Sequence, residues 1–517
     1  MILRQFKHVF DSLRPPPSIG SVARRPLILA TLPALLAAGC TLGPQPDRPG
    51  LAIDLDAPYA GASDTGESLE AVAGWWRRFG DEATSDLVAR VVAGNYDLKA
   101  AAARVRQAAA ASDVTRDGRF PAIGANFAAS GRNIPDSQTA LIPVPVGPGG
   151  TPLSTGGGST GDDFVDSYDL SIDVSWQLDL FGRLRRLEQA ADFEAVATEA
   201  DRLALLHTLV AQTITGRVAV ATLGERLALA EANLDSLRQT LETVEQRYQA
   251  GVGDAVELRL ARENVATAQA QIPPLQSQLD QQRFALAVLT GERPGAVGEL
   301  PDTLPPLPEL PPPPLGLPAS LLDRRPDLLS SEFRARAATA RVGAAIADLF
   351  PDLRLTGSYG FTGDQLGSLI GGSNEVYSII GSVAQPIYEG GRRRSEVRRS
   401  RAAADEQAAN YAADVLNAFQ EVDAALVRER AGRAEVEASA TALTEAQAAE
   451  ELARSSYSRG VGNLLQVFEA ERRRRAAEER LALARQGVWT ARIDLHLALG
   501  GDWDLPEQQA TTQPDQR

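Results

Sequence analysis

Chemistry needs reactive side chains at set spacings, and this chain offers one. Cys40 is the only cysteine among 517 residues. Ahead of it lie Arg24-Arg25, an apolar stretch from Pro26 to Leu36, and the small residues Ala37-Ala38-Gly39. Charge, then an apolar segment, then small residues at a cleavage point is the layout of a targeting segment. Cleavage there makes Cys40 the first residue of the mature protein and an acceptor for an acyl chain. With one cysteine no disulfide can form within the chain. The histidines, His8, His207 and His496, have neither triad nor metal-ligand spacing, so no catalytic constellation, metal site or cofactor is expected. His207 and His496 fall on helical stretches as surface or packing residues. Gly156-Gly157-Gly158 opens no helix, so it reads as loop and not as a phosphate cradle.

The elements that position these residues come twice. Asp97-Leu98 and Phe120-Pro121 recur as Asp327-Leu328 and Phe350-Pro351, at an offset of 230. Phe181-Gly182-Arg183 recurs as Gly390-Gly391-Arg392, and Tyr248 to Gly253 as Tyr457 to Gly462, at an offset of 209. The difference of 21 is a longer loop in the first half. Between these anchors, Tyr168–Leu180 alternates strictly. Leu170, Ile172, Val174, Trp176 and Leu178 fall on one face; Asp169, Ser171, Asp173, Ser175 and Gln177 fall on the other. Period two gives a strand with one apolar and one wet face, and such a strand belongs in a wall between lipid and water.

The layout follows. Residues 1–39 form the targeting segment, 40–70 a lipidated extended leash, and 71–300 the first repeat. That repeat holds strands at about 122–130 and 168–180 and a helical hairpin at about 184–290. One helix is expected from about Ser85 to Thr115. A proline-rich connector, 301–320, precedes the second repeat, 321–503, and a tail, 504–517. The second repeat holds strands at about 353–362 and 376–387 and a hairpin at about 393–499. Gly251-Val252-Gly253 and Gly460-Val461-Gly462 turn the hairpins, Asp254 caps the first return helix, and Pro273-Pro274 break or kink it. A net charge of −15 argues against nucleic acid as a partner. No uninterrupted apolar run of 18 residues follows residue 40, so no transmembrane helix is expected. Four strands cannot close a membrane barrel, and an open edge is not tolerated in lipid. The barrel must therefore be shared between chains.

These residues resemble the outer membrane factor family, the TolC-type channels, most closely its lipoprotein branch in multidrug efflux. The resemblance rests on Trp176 to Gly182, Arg324-Arg325-Pro326-Asp327, Leu349-Phe350-Pro351, Tyr388 to Gly391, Ala418 to Val422 and Ala498 to Gly501, in order. Cys40 with its preceding small residues resembles a lipobox, although Ala37 stands where leucine is favoured. The fold implied is a duplicated α+β membrane protein. Three chains form a trimeric 12-strand outer-membrane β-barrel, four strands per chain, continued by a long periplasmic α-helical barrel. The partners implied are two further copies, a periplasmic adaptor (membrane fusion) protein, an inner-membrane pump of RND type and outer-membrane lipid of a Gram-negative cell. The function implied is passive conduction of toxic small molecules to the outside.

The same resemblance puts the adaptor-docking tip at Gly251, Val252, Gly253, Gly460, Val461 and Gly462. It puts the pore gate at Leu465, Glu469 and Tyr457. Three copies of Glu469 would ring the lumen, raising some carboxyl pKa values or attracting a cation. A second acidic ring of some relatives is missing, because Gln466 stands there, and Gly462 stands where some carry a gating arginine. Two alternatives stay open: a tunnel for type I protein secretion, and a lipid-anchored coiled-coil scaffold without a pore.

Overall fold

The duplicated sequence folds as a duplicated structure. The computed structural model describes residues 41–54, 59, 75–134, 163–296, 300 and 318–501. In chain order these form α1 (Glu82–Gly94), α2 (Tyr96–Asp117), β1 (Ala122–Ile134), β2 (Asp163–Leu178), α3 (Arg183–Gln249) and α4 (Ala255–Leu289). The second repeat adds α5 (Pro326–Ala347), β3 (Asp352–Gly363), β4 (Glu375–Ala384), α6 (Arg392–Ser458) and α7 (Leu464–Ala498). Equivalent helices match in length: 22 residues in α2 and α5, 67 in α3 and α6, 35 in α4 and α7. At 1.5 Å per residue the 67-residue helices reach roughly 100 Å.

Several boundaries differ from the sequence reading, each for a local reason. The stretch from Ser85 to Thr115 is two helices. Asn95 divides them: its Oδ1 accepts from Leu98 N at 2.9 Å and its Nδ2 donates to Leu289 O at 2.9 Å. Arg325 holds the equivalent place, donating from Nη1 to Ala498 O at 3.1 Å. In both repeats, then, the residue before the short helix ties down the carbonyl end of the return helix. Pro273 and Pro274 do not break α4. Both lie on its exposed face. β4 ends at Ala384 and not near Ile387, because Pro386 brings no N–H. β1 and β2 run further than expected, closing at Ile134↔Asp163, and β2 stops at Leu178.

The sheet is antiparallel throughout, in the order β1-β2-β3-β4. Gly182 and Gly391 pass the chain from sheet to helix with φ of 77° and 84°, values that cost a side chain energy. The principal core lies midway along the helices. Trp75, Trp76, Phe79, Val91, Ile214 and Trp489 form one buried cluster; Leu321, Tyr411, Val415 and Leu495 form another. His496 stacks on Trp75 at 4.4 Å and His207 is buried, so both histidines are packing residues. One 18-residue window of α3 is apolar enough to cross a membrane, with mean hydropathy 1.3, but 56% of it is buried within the chain. It is a core segment.

Residues 41–54 do not hang as a free leash. Leu42 N donates to Phe181 O at 3.4 Å, and Arg186 Nε donates to Leu42 O at 3.1 Å. Further along, Arg48 pairs with Glu332 at 2.7 Å and Asp323 at 2.6 Å, and Arg336 Nε donates to Pro46 O at 2.9 Å. Gly43, at φ 92°, crosses α5 so closely that a Cβ would lie 2.5 Å from Gly343 Cα. The segment is a strap from the strand-to-helix passage down to the core. Cys40 and the connector 301–317 lie outside the described residues.

Candidate functional site

The sheet is one candidate site, and its register shows what its faces are. Directly opposed residues of antiparallel strands project to the same side. Leu170 opposes Phe127 and Phe361; Ile172 opposes Ala125 and Tyr359; Val174 opposes Ile123 and Gly357. Trp176 opposes Leu355, Leu178 opposes Leu353, and these continue to Val383, Ile379 and Tyr377 of β4. The five apolar residues of β2 thus join one apolar face across all four strands. Much of it is bare in the single chain: Ile123 is 73% exposed and Ile379 82%. Trp176 is tied at its edge, with Nε1 donating to Arg119 O at 2.8 Å. The opposite face is polar and internally bonded. Thr362 Oγ1 donates to Asp169 at 2.5 Å and Gln177 Nε2 to Asp352 at 2.7 Å. Val376 and Ile380 are exceptions, falling in the polar phase of β4.

The second candidate site is the far end of the hairpins. Each long helix closes with two crossed hydrogen bonds: Val252 N to Arg247 O and Gly251 N to Tyr248 O, then Val461 N to Ser456 O and Gly460 N to Tyr457 O, all 3.0 Å. This motif needs a left-handed residue, supplied by Gly251 at φ 75° and Gly460 at φ 77°. Gly253 and Gly462 have a different duty. A Cβ on Gly253 would lie 2.9 Å from Tyr248 N, and one on Gly462 3.1 Å from Tyr457 N. Asp254 and Asn463 then cap the return helices, accepting from Val256 N at 3.1 Å and Gln466 N at 2.9 Å. What each turn offers to solvent is its valine, Val252 at 69% exposure and Val461 at 78%.

Of the three expected gate residues, Leu465 and Glu469 lie one turn apart on α7, and Tyr457 lies at the end of α6. Tyr457 is buried with Val244, Ala261, Leu464 and Val467, pinning the two hairpins together. Arg247 lies over its ring at 4.7 Å, and burial pushes its phenol up. Leu465 is exposed. Glu469 is half-buried, and it is not a bare carboxylate. Arg472 bonds it at 2.9 and 2.8 Å, and Arg473 at 2.7 Å. These guanidiniums, Arg472 first, hold its carboxyl down to about 2. Within the single chain the counter-charge is thus built in, three and four residues along the same helix.

Sequence reading missed a buried ionic seam between α6 and α7. Glu450 and Glu471 are both buried. Arg454 reaches Glu450 at 2.9 Å and Glu471 at 2.6 Å, while Arg474 bonds Glu450 and meets Glu478 at 2.5 Å. Thr240 Oγ1 of α3 also donates to Glu471, at 3.1 Å, and burial pushes the Glu471 carboxyl up. At the equivalent positions the first hairpin has Leu241 for Glu450 and Val265 for Arg474. It also has the pair Glu245–Arg262, 2.8 Å apart and exposed, where the second has Arg454–Glu471 with the charges exchanged. The signal in the sequence was the i,i+4 spacing of Glu450 and Arg454, which surface helices show as well. Among the described residues no group of three or more His, Cys, Asp or Glu side chains is disposed to hold a metal.

Comparison with known proteins decides the family. The sequence profile described as outer membrane efflux protein matches residues 87–292 and 317–501. The chain belongs to the outer membrane efflux protein family. It is similar to the pyoverdine export outer membrane protein OpmQ of Pseudomonas aeruginosa, 31% identical over 92% of this chain and 96% of OpmQ. It is similar to the probable outer membrane lipoprotein SilC of Salmonella typhimurium, 26% identical over 92% of this chain and 98% of SilC. Among solved structures the outer-membrane channel OprN superposes with a TM-score of 0.76, at 30% identity, over 90% of this chain and all of OprN. The family's outer-membrane efflux channels share this arrangement of long helices and a small antiparallel sheet. The two matched segments of this chain are its two repeats.

Proposed function

We propose that this protein is the outer-membrane channel of a tripartite efflux system. It passively conducts small molecules delivered by an inner-membrane pump of RND type through a periplasmic adaptor. The observation that carries the reading is the sheet: four strands in one register, one continuous apolar face, and two open edges. An open edge is excluded in lipid, so further copies must cover it. Three copies supply twelve strands, within the range of outer-membrane barrels. The apolar face then meets lipid, and the long hairpins continue the wall as a periplasmic helical barrel. Neither alternative has a specific observation in its favour. A scaffold has no use for a membrane strand, and nothing in the tip points to protein cargo.

The strap supports the lipidation reading of Cys40. Leu42, two residues after Cys40 in the sequence, is bonded at Phe181, three residues beyond the end of β2. Cys40→Ala should abolish labelling by radioactive palmitate; persistent labelling sinks that assignment. The tip is the adaptor-docking end, and Leu465, Glu469 and Tyr457 form the gate, with Glu469 acting together with Arg472 and Arg473. Purified protein in a planar bilayer tests both parts of the reading. Discrete single-channel conductance is expected, and its absence rejects a channel. Glu469→Gln, which frees two cationic side chains, should alter open probability and ion selectivity. Unchanged traces would leave Glu469 an ordinary helix-surface carboxylate.

A further inference from the structure

Six of the ten residues from Arg392 to Arg401 are arginine, and they open α6. They stand at the helix end where the macrodipole disfavours cations, and no acidic residue lies in the first turn. Helix formation by itself gives no reason for them.

Their directions sort them. Arg393 turns to α5 and bonds Asp348. Arg392 pairs with Glu389 at 2.9 Å, and Arg399 pairs with Glu396. Arg394, Arg398 and Arg401 share a different side, within an arc of about 60° at roughly 100° per residue. All three are exposed. Arg398 Nη2 donates to Ser395 Oγ at 2.9 Å. Among the described residues, no carboxylate lies within ion-pair distance of any of the three. Asp405, one turn beyond Arg401, is the first acidic residue along that side. The first repeat has no such face. Arg185, Gln189 and Asp192 stand at these positions, and Arg185 is paired with Asp179 at 3.2 Å.

Phe419 sets which way this face looks. It follows Arg401 by eighteen residues, five whole turns, so it projects from the same side of α6. Phe419 packs edge-on against Tyr59, with ring centroids 6.3 Å apart, in a cluster that also takes Leu51 and Ile53. The face is therefore the one along which the N-terminal segment runs. A segment leashed to the membrane at Cys40 runs outside the wall and not through its lumen. The face also lies close to the sheet. β4 ends at Ala384 and α6 begins at Arg392, and the three guanidiniums start from roughly 10 Å of helix in its first turns. That is the level of headgroups when the apolar face of the sheet is in lipid.

We propose that Arg394, Arg398 and Arg401 form a site for the phosphate of an anionic phospholipid in the periplasmic leaflet. The inference rests on the channel reading with Cys40 lipidated. Guanidinium groups meet phosphate oxygens with paired N–H donors. Each basic residue near an anionic bilayer surface raises binding about fivefold. The occupant is a lipid and not a free anion, because its acyl chains find the apolar face of the sheet immediately above.

Lipid retention by the full-length protein tests it. Detergent-solubilised protein is mixed with dioleoylphosphatidylglycerol or dioleoylphosphatidylcholine, and bound lipid is counted by native mass spectrometry. Phosphatidylglycerol should be retained several-fold over phosphatidylcholine. Arg394→Gln/Arg398→Gln/Arg401→Gln should lower that retention tenfold or more, and Arg394→Lys/Arg398→Lys/Arg401→Lys, which keeps the charge, should keep most of it. Arg398→Gln alone should show a smaller loss, which serves if the triple variant assembles poorly. Equal retention by the unmodified protein and the glutamine variants rejects the site. Full competition by inorganic phosphate would make it a site for a free anion and rejects the lipid. Ion selectivity in a planar bilayer is the second arm and should not change in the glutamine variants. A shift towards cations places these arginines in the lumen and overturns the proposal. Absence of conductance in the unmodified protein overturns the channel reading itself.

Discussion

His207 shows how much a single buried residue can set. The protein buries it and holds its imidazole down to about 3, chiefly by that burial, with Asp327 opposing and Arg325 reinforcing the shift. Below its ordinary value of 6.5 the unfolded chain takes up a proton that the folded chain refuses. Stability is therefore full above pH 6.5 and is lost as pH falls from there towards 3. The slope is about 1.4 kcal/mol per pH unit, or roughly 2 kcal/mol by pH 5. His207→Leu should flatten this dependence, since Leu416 already fills the equivalent place in the second repeat. Thermal unfolding of both proteins at pH 7.5 and pH 5 measures it; an equal loss in both would assign the acid sensitivity elsewhere. Glu471 of the α6–α7 seam works the other way: burial pushes its carboxyl up, so the folded chain holds a proton that the unfolded chain releases, and acid favours the fold there.

Among the elements, the strands allow the sharpest comparison, because neighbours along one strand live in different solvents. Val174 lies on the apolar face and Ser175 on the polar face of β2. Val174→Arg should cost about 2–4 kcal/mol if it falls near the bilayer midplane, and Ser175→Arg far less. The measurement is the yield of folded trimer in isolated outer membranes. Similar losses at both positions would count against a membrane strand. Legibility at this scale followed from periodicity. β2 could be read to within a few residues because thirteen residues alternate without fault. β4 was harder, because Val376 and Ile380 interrupt its phase and the chain leaves the sheet before Pro386. The division of the first helix at Asn95 was not legible at all. Asn95 makes it by capping the next helix at Leu98 N and by a bond to Leu289 O, 194 residues away, which fixes the break in the fold.

At the scale of the whole molecule, the turns at the tip are where a partner can reach the chain. All four glycines are required by the turns: Gly251 and Gly460 for their left-handed backbone, Gly253 and Gly462 because a Cβ would crowd the preceding helix. Substituting them would report on folding. Val252 and Val461 are exposed and free of that duty, so they are the probes for docking. Val252→Asp/Val461→Asp should remove efflux-dependent drug resistance while trimer level and bilayer conductance stay unchanged. Full resistance in that variant would leave the tip as a turn and move the adaptor contact elsewhere.

The sequence by itself determined the duplication, the strand with two faces, the paired long helices and the glycine turns. These depend on spacing along the chain, and spacing is what a sequence records. It also marked Cys40 as the proposed lipidation site, from its neighbours in order. The tertiary structure alone decided the rest. It docked residues 41–54 as a strap, because Arg186, Glu332 and Gly343 come from distant helices to hold it. It placed Tyr457 in a core and not at a free surface. It gave Glu469 two arginine partners from the same helix. It assembled Glu450, Arg454, Glu471 and Arg474 into one buried seam from positions that read as ordinary helix charges. Burial and pairing depend on which helices lie side by side, and that is set by the packed core and not by the local pattern of any one helix.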